Sequence, residues 1–468
     1  MRKTKIIATI GPASRTAPMV RKLIPHVDVF RINFSHGDQS SHLDEIRTIR
    51  REARRAGKTV AVLQDLPGPK IRVGKFAGGS VDLVRGSAVQ LASSSSEGDA
   101  HFIPVNTPGL IRAVKKGDIL HLADGVIRLR VDDAAADSVS CTVLAGGVLG
   151  SGKGVNAPGV KIRIEYPTPK DREYLKFGVQ QGVDFVAASF VRVASDVRAL
   201  RELIPPGGPM LIAKIEKKEA VSNLTGILEE ADGAMVARGD LGIEVPIETV
   251  PEIQKRVISR CGEGGKPVIV ATQMLVSMVN FPVPSRAEVT DVSTAILDGA
   301  DAVMLSDETT VGKYPAESVR MLDRIARATE RSLRSYARRL AEVESSETGL
   351  AIARAAVRLA DYVGAKAIVA PTQTGSTAQR VAMYRPEHPI IAICGEAKVA
   401  RRLKVYRGVL PIVRKPAKTL DRLFEQADLA AEGLGLAKKG DRIVVTSGTP
   451  GFIGTTNTIK VSVVGSRT

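Results

Sequence analysis

Tryptophan is absent from the sequence, and aromatic side chains make up only 4% of its 468 residues. That is poor material for stacking bases, so a nucleic-acid partner is not expected despite a formal net charge of +17. Cysteine is also sparse: Cys141, Cys261 and Cys394 lie far apart, each in or beside an apolar segment. Without the short spacings that build zinc or disulfide frameworks, they read as reduced core residues. No segment approaches the ~20 uninterrupted apolar residues of a membrane span. The opening MRKTKIIATIG has a basic start but neither the apolar core nor the cleavage site of a signal peptide, so a cytoplasmic protein without a membrane partner is expected.

The positive charge is dispersed. Its densest groups, RREARR (50–55) and ARRLKVYR (400–407), fall at helical spacing, as solvated helix faces do. A diffuse basic field of this kind attracts small anions. An apolar content of 44% is enough for packed cores, and the length accommodates roughly two to four domains.

One pattern recurs up to about residue 306: a short apolar run, a polar tip, then an amphipathic helical stretch. The runs are TKIIATIG, DVFRINF, VAVLQDL, VDFVAASF, MLIAKIE, GAMVARGD, PVIVATQ and AVMLS. Eight strand–helix units in series predict a (β/α)₈ TIM barrel, with its site at the C-terminal ends of the strands. Helical periodicity vanishes over residues 71–166, where alternating runs such as ILHLADGVIRLRV predict an inserted β-barrel lid domain. Pro67, Gly68 and Pro69 stop the third strand and turn the chain out of the barrel. The barrel therefore occupies residues 1–70 and 167–345, and residues 346–468 read as a separate doubly wound α/β domain.

The polar tips carry the chemistry. Residues two apart on a strand share a face, so Lys214 and Glu216 in MLIAKIE project together, with Asp240 on the neighbouring tip. Two carboxylates with few histidines suit a hard divalent ion such as Mg²⁺ or Mn²⁺; a buried lysine–carboxylate network accounts for the pair equally well. RINFSHG adds Arg31, Asn33, Ser35 and His36, VLQDL adds Asp65, and VATQ adds Thr272 and Gln273. ARGDLG opens a helix whose amides can bind a carboxylate or phosphate, which together with the metal points to a phosphorylated carboxylic acid.

The stretches TKIIATIGPAS, FRINFSHG, DLPGPKIR, KGVNAPG, IAKIE, VARGDLG, KPVIVATQML, SRAEVTDV and DGADAVMLSDET occur in the order and spacing of pyruvate kinases, and the chain resembles that family over essentially its whole length. The resemblance implies phosphoryl transfer from phosphoenolpyruvate to ADP, giving pyruvate and ATP. It implies Glu216 and Asp240 as ligands of Mg²⁺ or Mn²⁺, and Lys214, Arg31 and Arg72 as charges around the travelling phosphoryl group. Gly239, Asp240 and Thr272 would receive the substrate carboxylate, with Thr272 or Ser306 near the enolate to be protonated. Pro12, Asn33, His36, Arg72 and Lys153 would contact the nucleotide. Asn33, Ser35, Asp65 and the Leu66 carbonyl match the monovalent-cation site, and a homotetramer is the family's usual assembly.

Two departures matter. The commoner motif has an acid in place of Lys70 and threonine in place of Leu66; a tethered ammonium supplies the charge that K⁺ otherwise brings, so independence of K⁺ is expected. SDETTVG places Asp307 and Thr310 where glycine and alanine are usual. In the last domain, TQTGSTAQ runs a strand into a hydroxyl-rich helix start, with Thr372, Gln373, Thr374, Gly375, Ser376 and Thr377 matching the family's effector site for a sugar phosphate or nucleotide. The late loop SGTPGFIGTTN would close over it. A metal-dependent carbon–carbon lyase on the same barrel would explain Glu216 and Asp240 but neither the insertion nor the last domain. A catalytically silent copy has no physical need for the full set of Arg31, Lys214, Glu216, Asp240 and Thr272.

Overall fold

The computed structural model describes residues 1–332, 347–448 and 456–466. Eight parallel strands close a barrel: β1 (Lys5–Ile10), β2 (Val29–Asn33), β3 (Ala61–Asp65), β4 (Phe185–Ala188), β5 (Met210–Ile215), β6 (Gly233–Ala237), β7 (Val268–Ala271) and β8 (Ala302–Leu305), with β1 pairing both β2 and β8. Both faces of each strand are covered, which is why the runs read as nearly continuous apolar sequence. Alternate residues divide between two cores. Ile6, Ala8, Phe30, Ile32 and Val62 pack outward against the helices, while Ile7, Leu63, Phe185, Ile212, Met235 and Ile269 fill the barrel.

An aspartate stands immediately before each even-numbered strand, and its carboxylate accepts an amide at the start of the preceding odd strand. Asp28 takes Ile6 N at 3.1 Å, Asp184 takes Val62 N at 2.8 Å, Asp232 takes Leu211 N at 2.7 Å and Asp301 takes Val268 N at 3.1 Å. Three of the four also bind cations of the C-terminal domain. Lys404 lies 2.7 Å from Asp28, Arg401 lies 2.7 Å from Asp184, and Arg385 lies 2.5 Å from Asp301. This end of the barrel is thus both capped and docked by one ring of carboxylates, three of them buried.

The insertion leaves after β3 and returns through a cis Tyr166–Pro167 bond. Its strands form a six-stranded sheet and a two-stranded ribbon around one core, and isolated bridges Arg72/Gly154 and Val73/Val105 tie residues 72–73 to both edges of the six-stranded sheet. A short helix, Pro108–Ala113, lies among the strands. The C-terminal domain contains β9 (Ile368–Thr372), β10 (Ile390–Cys394), β11 (Val409–Val413), β12 (Arg442–Ser447) and β13 (Thr458–Val463), ordered β11-β10-β9-β12-β13 with only β13 antiparallel. Helix Leu420–Gly433 covers one face, and helices Thr348–Tyr362 and Ser376–Met383 cover the other. The helical run expected after β8 is broken into Asp307–Thr310 and Pro315–Ser332, and its continuation over 333–346 lies outside the described residues. Cys141, Cys261 and Cys394 are free and buried, and burial pushes each thiol up to about 12.

Candidate active site

The C-terminal ends of β2, β3, β4 and β5 bring four charged side chains and a hydroxyl together. Arg31 Nε donates to Asp65 Oδ2 at 2.7 Å and Arg31 Nη1 to Thr9 Oγ1 at 3.1 Å. Lys214 Nζ donates to Asp65 Oδ1 at 3.2 Å and to Ser189 Oγ at 2.7 Å, and it lies 2.8 Å from Glu216 Oε1. Ser189 Oγ in turn donates to Asp65 Oδ1 at 3.1 Å. Glu216 Oε2 accepts the Phe190 amide at 2.7 Å. The pattern that puts Lys214 and Glu216 together sends Ile215 into the outer core.

Burial tunes these groups in opposite directions. Burial alone would lower the Lys214 ammonium, but Asp65 and Glu216 outweigh it and hold its pKa above the ordinary lysine range. Burial would raise Asp65, yet Arg31 and Lys214 keep it below the usual carboxylate range. Glu216 goes the other way: burial raises it against the pull of Lys214, and the Asp240 carboxylate raises it further. Its Oε1 is fully buried and accepts no aligned hydrogen bond. Two carboxylates that repel each other at one barrel mouth are suited to share a hard cation. Among the described residues, no group of three or more His, Cys, Asp or Glu forms a metal cage, so such a cation would rest on the two carboxylates and on ligand oxygens.

Opposite this cluster, helix Arg238–Glu244 starts directly after β6. Gly239 N donates to Thr272 Oγ1 at 2.8 Å, so this amide and this hydroxyl, both predicted to face the substrate, already face each other. Lys70 Nζ lies 3.1 Å from Asp240 Oδ1 and 5.8 Å from the centre of the Phe190 ring. The expected replacement for a monovalent ion therefore contacts one of the two expected divalent-ion ligands. Asn33 Oδ1 accepts the Ser35 amide at 3.1 Å, and Leu66 N donates to Ala187 O at 3.0 Å.

The insertion supplies the other wall. Arg72 Nη1 donates to Gly152 O at 2.9 Å, and the Lys153 carbonyl accepts Val73 N at 2.9 Å, which sets Lys153 in the turn beside Arg72. Asn156 Nδ2 donates to Glu244 Oε1 at 2.7 Å, a buried contact from the insertion to the barrel, and Lys217 reaches the same oxygen at 2.6 Å. A cavity of about 340 Å³ opens where the insertion leaves and rejoins the barrel, lined among others by Ser35, Pro67, Lys70, Arg72, Thr168 and Lys170. Exposed His36 faces the same charges: partial burial and then Arg72, Arg31 and Lys70 lower its pKa, with Asp307 opposing, so it stays neutral at physiological pH. Pro12 is exposed, following Gly11. A Cβ on Gly11 would come within 2.8 Å of the Thr310 backbone, so Gly11 is needed where the β8 loop, with Thr310 in it, crosses the β1 loop. Ser306 N donates to Glu308 Oε2 at 2.8 Å.

In the C-terminal domain, TQTGST lies at the end of β9, where the strand order reverses between β9 and β12. Ligands of open α/β sheets bind in such crevices. Gly375, at φ +99°, donates its amide to Thr372 Oγ1 at 2.9 Å, and the Thr377 hydroxyl lies 3.0 Å from that of Thr456. The central residues of SGTPGFIGTTN, 449–455, lie outside the described residues.

Sequence reasoning does not single out Ser189, Arg238 or Glu308. Ser189 lies in the run VDFVAASF directly after the strand and Arg238 sits inside VARGDLG, so strand-end position is the available signal for both.

Comparisons with known proteins agree with this layout. Residues 1–319 match the family described as pyruvate kinase, barrel domain, and residues 350–462 match pyruvate kinase, alpha/beta domain. The chain is 46% identical over 472 residues to a pyruvate kinase of Geobacillus stearothermophilus, covering 99% of this chain and 80% of that relative. It is 43% identical over 477 residues to one of Sporosarcina psychrophila, with 99% and 81% covered. A pyruvate kinase of Staphylococcus saprophyticus is 44% identical over 481 residues, with 100% and 81% covered.

Proposed function

Because the chain belongs to the pyruvate kinase family, we propose that it transfers the phosphoryl group of phosphoenolpyruvate to ADP, yielding ATP and an enolate that takes up a proton to become pyruvate. The observation that carries this reading is the buried Arg31–Asp65–Lys214–Glu216 cluster facing Asp240 and Thr272 at one barrel mouth. Phosphoryl transfer depends mainly on positioning and charge compensation, and Arg31 and Lys214 provide two cations already fixed by Asp65. Held above the ordinary lysine range, Lys214 stays charged throughout the working pH range and is suited to bind phosphoryl oxygens rather than to give up a proton. The substrate carboxylate would take the Gly239 amide from Thr272 Oγ1 and leave that hydroxyl beside the enolate.

Glu216 and Asp240 would hold Mg²⁺ or Mn²⁺, which when bound supplies positive charge to the carboxylate and phosphoryl oxygens. Arg72 and Lys153, with Asn33, neutral His36 and Pro12, would form the nucleotide side, and the insertion would act as a lid excluding water. K⁺ would not be required, since Lys70 already places an ammonium at the same rim. Residues 372–377 would take a phosphorylated effector, either sugar or nucleotide. Exposed Val276, Phe281, Val283 and Val311, on the adjoining β7 and β8 loops, support assembly into an oligomer, for which the family's homotetramer is the expectation.

The test is pyruvate formation from phosphoenolpyruvate and ADP with Mg²⁺, with and without KCl. No turnover in either condition overturns the reading. Sugar mono- and bisphosphates and nucleotides titrated at subsaturating phosphoenolpyruvate test the effector site, and no response to any of them removes it.

A further inference from the structure

Thr272 and Gln273 adopt φ of +69° and +54°, two consecutive non-glycine residues in the left-handed region. For a β-branched threonine this is an outlier, and such a conformation persists only when its surroundings hold it. The hold comes from Arg238. Its Nη2 donates to Thr272 O at 2.8 Å and to Gln273 O at 3.3 Å, and its Nε donates to Thr272 O at 3.3 Å. Its remaining arm, Nη1, donates to Asp291 Oδ1 at 2.7 Å, on helix Arg286–Asp298 between β7 and β8. The next residue, Gly239, grips the other end of the same threonine through Thr272 Oγ1 at 2.8 Å. Arg238 and Gly239 thus fix both the carbonyl and the hydroxyl of Thr272, from a side chain only 11% exposed.

We propose that Arg238, anchored by Asp291, is a positioning residue that holds the strained Thr272–Gln273 turn and so sets where the Thr272 hydroxyl meets the substrate. The inference rests on the reading that Thr272 contacts the phosphoenolpyruvate carboxylate and enolate. The guanidinium serves the carbonyls from Nε and Nη2 and the carboxylate from Nη1, whereas a lysine ammonium offers one nitrogen in place of three.

The experiment is a double-mutant cycle of Arg238→Lys with Thr272→Ala, read as kcat and as KM for each substrate. In the parent background, Arg238→Lys should lower kcat/KM for phosphoenolpyruvate about 10- to 100-fold, the loss of hydrogen bonds to a charged group, and leave KM for ADP unchanged. In the Thr272→Ala background the same substitution should have less than about a twofold effect, because the group it acts through is gone. Asp291→Asn retains the Arg238 guanidinium but weakens its anchor, and should give the same pattern more weakly, so a poorly folding Arg238 variant does not close the test. Losses that multiply independently in an active chain overturn the clamp alone. No turnover by the unmodified chain removes the clamp and the phosphotransfer reading together.

Discussion

Replacing Ser189 by alanine tests how the central ammonium is held. The hydroxyl is buried, accepts from Lys214 Nζ at 2.7 Å and donates to Asp65 Oδ1 at 3.1 Å, so deleting it removes one bond from each member of a charged pair. Hydrogen bonds to charged groups contribute about 1.5–3 kcal/mol, which corresponds to roughly 10- to 100-fold in rate if the bond serves the reacting geometry. Lys214 would keep Asp65 at 3.2 Å and Glu216 at 2.8 Å, and would settle toward the carboxylates and away from an incoming phosphoryl group. The expected result in a pyruvate-forming assay is therefore a kcat lower by about 10- to 100-fold, with KM for ADP unchanged. Because the two carboxylates keep the ammonium charged, the kcat profile between about pH 6 and 9 should keep its shape. Urea unfolding should show a loss of about 1–3 kcal/mol. A kcat within twofold of the parent, alongside that loss of stability, would refute the reasoning and leave Ser189 a packing residue.

Other consequences follow from the same geometry. Added KCl should change the rate of the unmodified chain by less than about twofold, and Lys70→Glu should gain KCl dependence; a large stimulation of the unmodified chain sinks the substitution of ammonium for ion. Asp184→Ala strips a fully buried carboxylate from Arg50, Arg401 and the Val62 amide, and should cost about 3–5 kcal/mol in denaturant titrations; a cost under about 1 kcal/mol would show that the ring of aspartates does not dock the C-terminal domain. Lys5, buried and donating to Val409 O at 2.7 Å, has its pKa lowered by burial to about 7, against the pull of Asp28. The unfolded chain binds the extra proton from there up to the ordinary lysine value, so this group makes stability rise with pH across that window, by at most about 1.4 kcal/mol per pH unit. Urea midpoints of Lys5→Met and the parent should converge as pH rises from 7; a gap independent of pH would contradict the burial of the charge.

Much of the site was legible because strand ends are legible. Lys214 and Glu216 were placed on one face by a spacing of two, and the tips with Arg31, Asp65 and Thr272 were recognisable as polar residues ending apolar runs. Ser189 and Arg238 occupied equivalent tips but looked ordinary: a serine after VDFVAA reads as a turn residue, and an arginine on a basic chain reads as surface charge. Their roles depend on partners far along the chain, Asp65 for the first and Asp291 for the second. The aspartates before the even strands were visible in DVFRINF and VDFVAASF, yet the cap each provides belongs to the preceding strand and is defined only once the strands pair side by side.

The sequence by itself determined the order of elements, the interruption after β3 and the family, because hydrophobic period, turn residues and ordered motifs are local properties that survive without coordinates. Tertiary structure alone decided which cation meets which carboxylate: that Lys70 lies against Asp240, that Thr272 is held left-handed by Arg238, and that Arg401 and Lys404 grip the foot of the barrel. Charge pairing acts over a few ångströms between residues tens to hundreds of positions apart, and the closure of the barrel is what brings them into range.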